Sequence, residues 1–193
     1  MSELTINHDT KSSGIFKIAL NLTVTCLVSG AIIAGVYYLT HPIAVQKEQE
    51  LEIQSMKELV PEAATTEEVT GEEGLTAALD EDGSVIAYIV EVEPKGYGGA
   101  IDMLVAVTPD GAVSNFEIVS ADETPGLGTK AAESPFKDQF SGKTSEELQL
   151  TKDSSEGTVE AITGATITSR AVTKGMKQAV DRVNTYVEEA SQE

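Results

Sequence analysis

Cysteine and histidine are nearly missing from this sequence. A single cysteine, Cys26, stands among 193 residues, so no internal disulfide can form. One thiolate also falls short of the ligand sets that iron–sulfur clusters and structural zinc sites need. The two histidines, His8 and His41, lie far from every other residue of chemical interest, which argues against a histidine-based metal enzyme. No glycine fingerprint for a nicotinamide cofactor and no nucleophilic triad pattern can be read. Neither catalytic residues nor metal ligands are therefore predicted. Bases are scarce as well: 13 Lys and Arg face 32 Asp and Glu, a formal charge of −19. Such a surface repels phosphate backbones and anionic headgroups, which excludes nucleic acid as a partner.

What is present starts with an uncharged run. Ile18 to Leu39, "IALNLTVTCLVSGAIIAGVYYL", contains 22 residues without a charge. As a helix it is about 33 Å long, matching a bilayer core of about 30 Å. Tyr37 and Tyr38 fall at one end, where aromatic rings favour the lipid–water boundary. The run is apolar on every face, unlike a soluble core helix. It is longer than a signal-peptide core, and "THPIAVQKEQE" follows instead of a small-residue cleavage site. A retained membrane anchor over residues 18–40 is the reading. Lys11 and Lys17 lie closer to the span than Lys47 and Lys57, which favours a cytoplasmic N-terminus (residues 1–17) and an extracytoplasmic C-terminal domain. Glu3 and Asp9 cancel Lys11 and Lys17, so all the net negative charge lies beyond the anchor.

Residues 41–74 read as a helical stalk followed by an acidic linker. Val45, Ile53, Met56 and Val60 recur on one side, Pro61 stops the helix, and "EAATTEEVTGEEG" is polar. From Leu75 the pattern turns β. "AALDEDGSVIAYIVEV" and "AVTPDGAVSNFEIVSA" resemble each other, with Asp82-Gly83 and Asp110-Gly111 each preceding a β-branched and aromatic run. Two hairpins of one antiparallel sheet account for both. "AAESPFKDQF" suggests a short helix interrupted near Pro135. Val172, Met176, Ala179, Val180, Val183 and Val187 then mark the inner face of an amphipathic helix over residues 168–188. The prediction is α+β: one N-terminal transmembrane helix, then an antiparallel or mixed sheet packed by helices, with residues 75–193 as one domain.

Before the last helix lies "TVEAITGATITSRAV", in which Thr163, Thr166, Thr168 and Ser169 surround a Gly164-Ala165 hinge. Two physical readings stand side by side. The hydroxyls cap the helix, as hydroxyl residues commonly do. Alternatively, the small hinge lets the backbone approach a bulky group whose phosphate rests on the helix N-terminus. Gly96, Gly98 and Gly99 around Tyr97, and Pro125, Gly126 and Gly128, mark two further tight turns.

"TGATITS" resembles the [S/T]GAT-x-[S/T] motif of extracytoplasmic domains that carry covalently bound FMN. "KGYGGAID" (residues 95–102) resembles the GYGG-x-I segment of that family, and "DETPGLGTK" (residues 122–130) its ETPGLG loop. The three occur in the family's order after one transmembrane helix, and the similarity spans nearly the whole chain. Within the family the chain most resembles the G subunits of Rnf electron-transport complexes. The resemblance implies an FMN phosphate esterified to Thr166 by a dedicated flavin transferase that uses FAD as donor. It places Thr163, Gly164, Ala165, Thr168, Ser169, Tyr97, Gly98, Gly99, Glu123, Thr124, Leu127 and Gly128 around the cofactor, with Glu123 and Thr124 offering polar atoms to it. Many relatives have histidine where this chain has Ala121, so no imidazole role carries over.

By the same resemblance the chain is a single-pass flavoprotein of a bacterial plasma membrane. It relays electrons in a ferredoxin:NAD oxidoreductase coupled to Na⁺ or H⁺ transport, with lipid and the other membrane subunits as partners. Alternatives are the C subunit of a Na⁺-pumping NADH:quinone reductase, another extracytoplasmic FMN carrier, or, in a different class, a cofactor-free anchored scaffold.

Overall fold

The computed structural model describes residues 9–191, with side chains defined for 15–41, 55, 56 and 58–191. The chain divides into two compact units, residues 1–50 and 51–193. Helix α1 covers Asp9–Leu59 as one continuous element, so the anchor and the stalk anticipated as separate pieces share a helix. Val45 and Ile53 lie outside the described side chains. Within α1, Ile15–His41 is long and apolar enough to cross a membrane, and none of its most apolar window is buried within the protein. Its hydroxyls bond to their own helix: Thr23 Oγ1 donates to Ala19 O (2.9 Å), Thr25 Oγ1 to Asn21 O (2.8 Å) and Thr40 Oγ1 to Val36 O (2.8 Å). That satisfaction matters in hydrocarbon, where no water replaces a missing partner.

The second unit is built on a five-stranded antiparallel meander in sequence order. Its strands are β1 (Thr65–Glu68), β2 (Leu75–Leu79), β3 (Val85–Val92), β4 (Ile101–Val107) and β5 (Val113–Ala121). Both Asp-Gly turns fall where expected, joining β2 to β3 and β4 to β5, with φ of +78° at Gly83 and +81° at Gly111. Glycine takes that left-handed conformation without a Cβ penalty. The expected polar linker is corrected by β1. Thr65 to Glu68 pair with Leu79 to Thr76, although all four side chains are exposed. Backbone pairing joins this edge strand to the sheet while its own side chains stay exposed, so its sequence has no apolar alternation.

Alternation along the inner strands sorts two cores. Val90, Ile101, Met103, Val105, Val107 and Phe116 face helix α2 (Thr166–Ala190), which buries Val172, Met176, Ala179, Val180 and Val183 against them. Val187, expected on the same stripe, is half-buried at its end. On the other face Ala87, Ile89, Leu104 and Ala106 meet Met56, Leu59 and Val60 from the end of α1 and the turn after it. Asn115 Nδ2 donates to the carbonyl of Leu59 there (3.4 Å), satisfying one of the helix's terminal acceptors. The anticipated helix around Pro135 is instead two short 3₁₀ turns, Gly128–Ala132 and Lys137–Gln139. Phe136 and Phe140 from this segment pack edge-on against each other, and Phe140 does the same against Phe116, so aromatic packing takes the place of helical hydrogen bonding.

Candidate functional site: a hydroxyl at the foot of helix α2

Three loops converge at one end of the sheet, and each owes its shape to local chemistry. Between β3 and β4 a narrow hairpin tip closes through Gly96 N to Gly99 O (2.7 Å) and Ile101 N to Pro94 O (3.0 Å). After β5, Thr124 to Leu127 form a turn in which Leu127 N donates to Thr124 O (3.1 Å). Pro125 occupies the second position of that turn and Gly126, at φ +74°, the third, the arrangement of a type II turn. Before α2, Ala165 N donates to Ile162 O (3.0 Å) across Thr163 and Gly164, with Gly164 at φ +84°. Ser169 Oγ locks this last turn by accepting from Ile162 N (3.0 Å) and donating to Ala165 O (2.9 Å).

One carboxylate ties the loops together. Glu123 is buried, at 8% exposure. Its Oε1 accepts from Tyr97 N (2.7 Å) and Gly98 N (3.4 Å), and its Oε2 accepts from Thr168 Oγ1 (2.9 Å). The glycines around it are needed for clearance. A Cβ on Gly96 would strike Glu123 Oε1, one on Gly128 would strike Oε2, and one on Gly98 would strike the Asp122 carbonyl oxygen. Glu123 was expected to offer its oxygens to a ligand; in this structure both already accept from protein donors, and the residue lines the groove described below. Thr124 likewise uses its carbonyl within its own turn and leaves its side chain exposed.

Thr166 is the first residue of α2 and is half-buried. The N-cap is Ala165, with no side-chain cap, so the four hydroxyls do not serve as an N-cap. Thr168 and Ser169 are engaged by protein partners as described, and Thr163 is exposed at the turn. The first helical hydrogen bond of α2 is Ser169 N to Ala165 O (2.9 Å). The N–H groups of Thr166, Ile167 and Thr168 precede it and meet no acceptor among the described residues, as befits a first turn. No acidic residue lies in that turn. Lys152 Nζ reaches Thr166 Oγ1 at 3.4 Å from a separate loop. The next residue of that loop, Asp153, holds Arg170 through two bonds of 2.6 and 2.7 Å. The Arg170 guanidinium keeps the Asp153 carboxyl below the usual carboxylate range, and the carboxylate in turn raises the arginine.

Beyond the membrane-length segment, three large apolar side chains are exposed among the described residues: Tyr97, Leu127 and Ile167. One comes from each of the three converging segments. Leu127 lies over Gly164, its Cδ2 3.2 Å from where a Cβ on that glycine would be. A groove of about 200 Å³ opens beside Glu123 and Thr168, with Ala121, Ile118, Gly128 and Ala131 in its walls.

All of the residues anticipated from sequence lie on these three loops or the first turn of α2, Gly99 included, whose hypothetical Cβ sits 3.7 Å from Asp122 Cβ. Sequence reasoning passed over Ile167 and Lys152. Ile167 carried a signal, because it is an apolar residue lying off the buried stripe of α2. Lys152 carried none, because its proximity to Thr166 exists only in three dimensions.

These residues suit a phosphorylated, flat aromatic cofactor: a hydroxyl and free N–H groups for the phosphate, small residues for close approach, and exposed apolar side chains for a ring. The model of a family described as an FMN-binding domain matches residues 96–181, the stretch containing all three loops. The chain is 49% identical to the G subunit of the proton-translocating ferredoxin:NAD(+) oxidoreductase complex of Clostridium ljungdahlii, covering 92% of this chain and 96% of that one. It is 34% identical to the G subunit of the ion-translocating oxidoreductase complex of Methanosarcina acetivorans (90% and 96%). With the G subunit of the Na(+)-translocating ferredoxin:NAD(+) oxidoreductase complex of Acetobacterium woodii the identity is 32% (86% and 90%). Among solved structures, NqrC of Shewanella oneidensis shares the fold at a TM-score of 0.50 and 20% identity, over 69% of this chain and 73% of that one.

Proposed function

The chain belongs to the G-subunit family of ion-translocating oxidoreductase complexes, and we propose that it relays electrons within such a complex through an FMN esterified to Thr166. The observation that carries this reading is the placement of Thr166 Oγ1. It is a half-buried hydroxyl on the first residue of a 25-residue helix, beside a lysine ammonium and clear of acids in the first turn. An anion belongs in that position: unpaired N–H groups and the helix dipole both favour it.

Attachment would exchange one P–O bond for another: Thr166 Oγ1 would give up its proton and take the FMN phosphate from FAD, with AMP as the leaving group. A flavin transferase supplies the catalysis. Once bound, the flavin exchanges electrons singly or in pairs, so it links one-electron to two-electron partners. The protein's own contribution is to hold and shield. Glu123 fixes the three loops, Thr163, Gly164 and Ala165 bring the turn close to the cofactor, and Tyr97, Leu127 and Ile167 offer apolar surface to the ring. A covalent bond also removes the mass-action loss that a dissociable cofactor suffers where free flavin is scarce.

The apolar part of α1 anchors the protein in a bacterial plasma membrane, crossing once with the N-terminus cytoplasmic and residues 75–193 outside. Lipid and the other membrane subunits surround it. Electron transfer from ferredoxin to NAD and the movement of Na⁺ or H⁺ belong to the assembled complex, in which this chain is a relay. The test is direct. Wild-type protein made with the transferase, then denatured and run on a gel, gives a flavin-fluorescent band, and Thr166→Ala gives a dark one while remaining folded. Fluorescence retained by Thr166→Ala moves the bond to Thr163 or Thr168 and overturns the assignment.

A further inference from the structure

We infer that Lys152 is the residue that holds the phosphate of this site, an inference that rests on Thr166 as the attachment residue. Its Nζ lies 3.4 Å from Thr166 Oγ1. That is long for a hydrogen bond to a neutral hydroxyl, so the ammonium is placed beside the oxygen without being spent on it. In a chain with 32 acids, Lys152 has no carboxylate partner among the described residues. Its neighbour Asp153 is already committed to Arg170.

The loop that carries Lys152 is built to hold it in place. Thr151 N donates to Val159 O (2.9 Å) and Thr158 N to Gln149 O (3.0 Å), closing the loop at its base. Asp153 N and Ser154 N both donate to Leu150 O, at 3.0 and 3.1 Å. Gly157 lies so close to Leu150 and Thr151 that any side chain would meet their backbone. The Asp153–Arg170 pair then fastens the loop to α2 one turn beyond Thr166. Two independent elements, the helix and this pinned loop, thus bring a cation and a hydroxyl together.

A phosphodiester on Thr166 carries one negative charge. Lys152 supplies the matching positive one as a charge-assisted donor to the phosphate oxygens, where the rest of the surface is strongly acidic. The same contact draws the phosphate toward Thr166 while the bond is made.

The test follows flavin incorporation by intact mass, using full-length protein in detergent with purified transferase and FAD. Lys152→Gln, Lys152→Arg and Lys174→Gln, which removes an exposed charge elsewhere on α2, are compared with wild type. The expected initial rate is about tenfold lower for Lys152→Gln and close to wild type for both Lys152→Arg and Lys174→Gln. In the loaded proteins the ³¹P resonance of the phosphodiester moves in Lys152→Gln and stays put in Lys174→Gln, a change that a purely structural role would not produce. Because Lys152 is exposed, circular dichroism and the urea midpoint of Lys152→Gln match wild type. Wild-type loading rates together with an unmoved ³¹P line overturn the role of Lys152 and leave Thr166 standing. Slow loading with an unmoved ³¹P line also overturns it, since the lysine then acts on the transferase and not on the phosphate. Failure of wild type itself to load defeats the reading of Thr166 instead.

Discussion

A buried carboxylate with three donors drawn from two other segments of the chain works as a knot, and Glu123 is tied to Tyr97 N, Gly98 N and Thr168 Oγ1 in that way. Replacing it by Gln keeps the volume but turns an N–H₂ toward one of those donors. Glu123→Gln is expected to lower stability by about 1–3 kcal/mol, read as a lower urea midpoint at unchanged slope, and to reduce flavin loading because the loops separate. The Asp153–Arg170 pair makes a prediction about pH. Arg170 depresses the Asp153 carboxyl, so the pair's contribution is complete above the ordinary carboxylate range and is lost as pH falls through the lowered value. The carboxyl ¹³C resonance of Asp153 is expected to titrate below the ordinary aspartate range in wild type and to move back toward it in Arg170→Gln. At this scale the sequence was partly legible. Thr166, its hinge and the glycines stood out as small residues and hydroxyls in unusual density. The direction in which Glu123 points was not legible, because a carboxylate facing inward to backbone donors reads the same as one facing a ligand.

Elements were legible where burial imposes a period. The stripe on α2 and the two Asp-Gly hairpins followed from side-chain spacing, since each strand and the helix bury a face. Strand β1 was not, because it joins the sheet through backbone pairing and its four side chains are all exposed. The 3₁₀ turns around Pro135 escaped for a related reason: phenylalanine packing sets that segment, without a regular hydrogen-bond repeat. The tip of the β3–β4 hairpin gives a sharp test of close approach. A Cβ at Gly98 collides with the Asp122 carbonyl oxygen, which is backbone and has little freedom to give way. Gly98→Ala is expected to cost about 1–3 kcal/mol and to depress flavin loading by pushing Tyr97 N off Glu123, whereas Gly71→Ala, where a φ of +95° strains any side chain but no atom lies within 4 Å, is expected to lower stability and leave loading unchanged. Equal loading of the two variants argues against a role for this tip.

The whole molecule pairs an uncharged helical segment with a strongly acidic globular unit, and its proposed topology is testable in cells. In a Cys26→Ser background, Glu188→Cys, at the exposed end of α2, is expected to react with a membrane-impermeant maleimide in intact cells. Ser2→Cys is expected to react only after permeabilisation. The reverse pattern contradicts an extracytoplasmic domain. Family membership and the α+β architecture were readable over almost the whole length because the three loop motifs and the apolar run occur in a fixed order. The site's basic corner was not, since Lys152 meets Thr166 only after the loop closes onto the helix. The central claim is one phosphoester, and the most direct measurement is the mass spectrum of protein matured in its own membrane and digested with trypsin. The account predicts that the fragment Asp153–Arg170 carries the mass of one FMN less water, with fragmentation placing it on Thr166. A bare fragment, or the same added mass on Thr163 or Thr168, contradicts it.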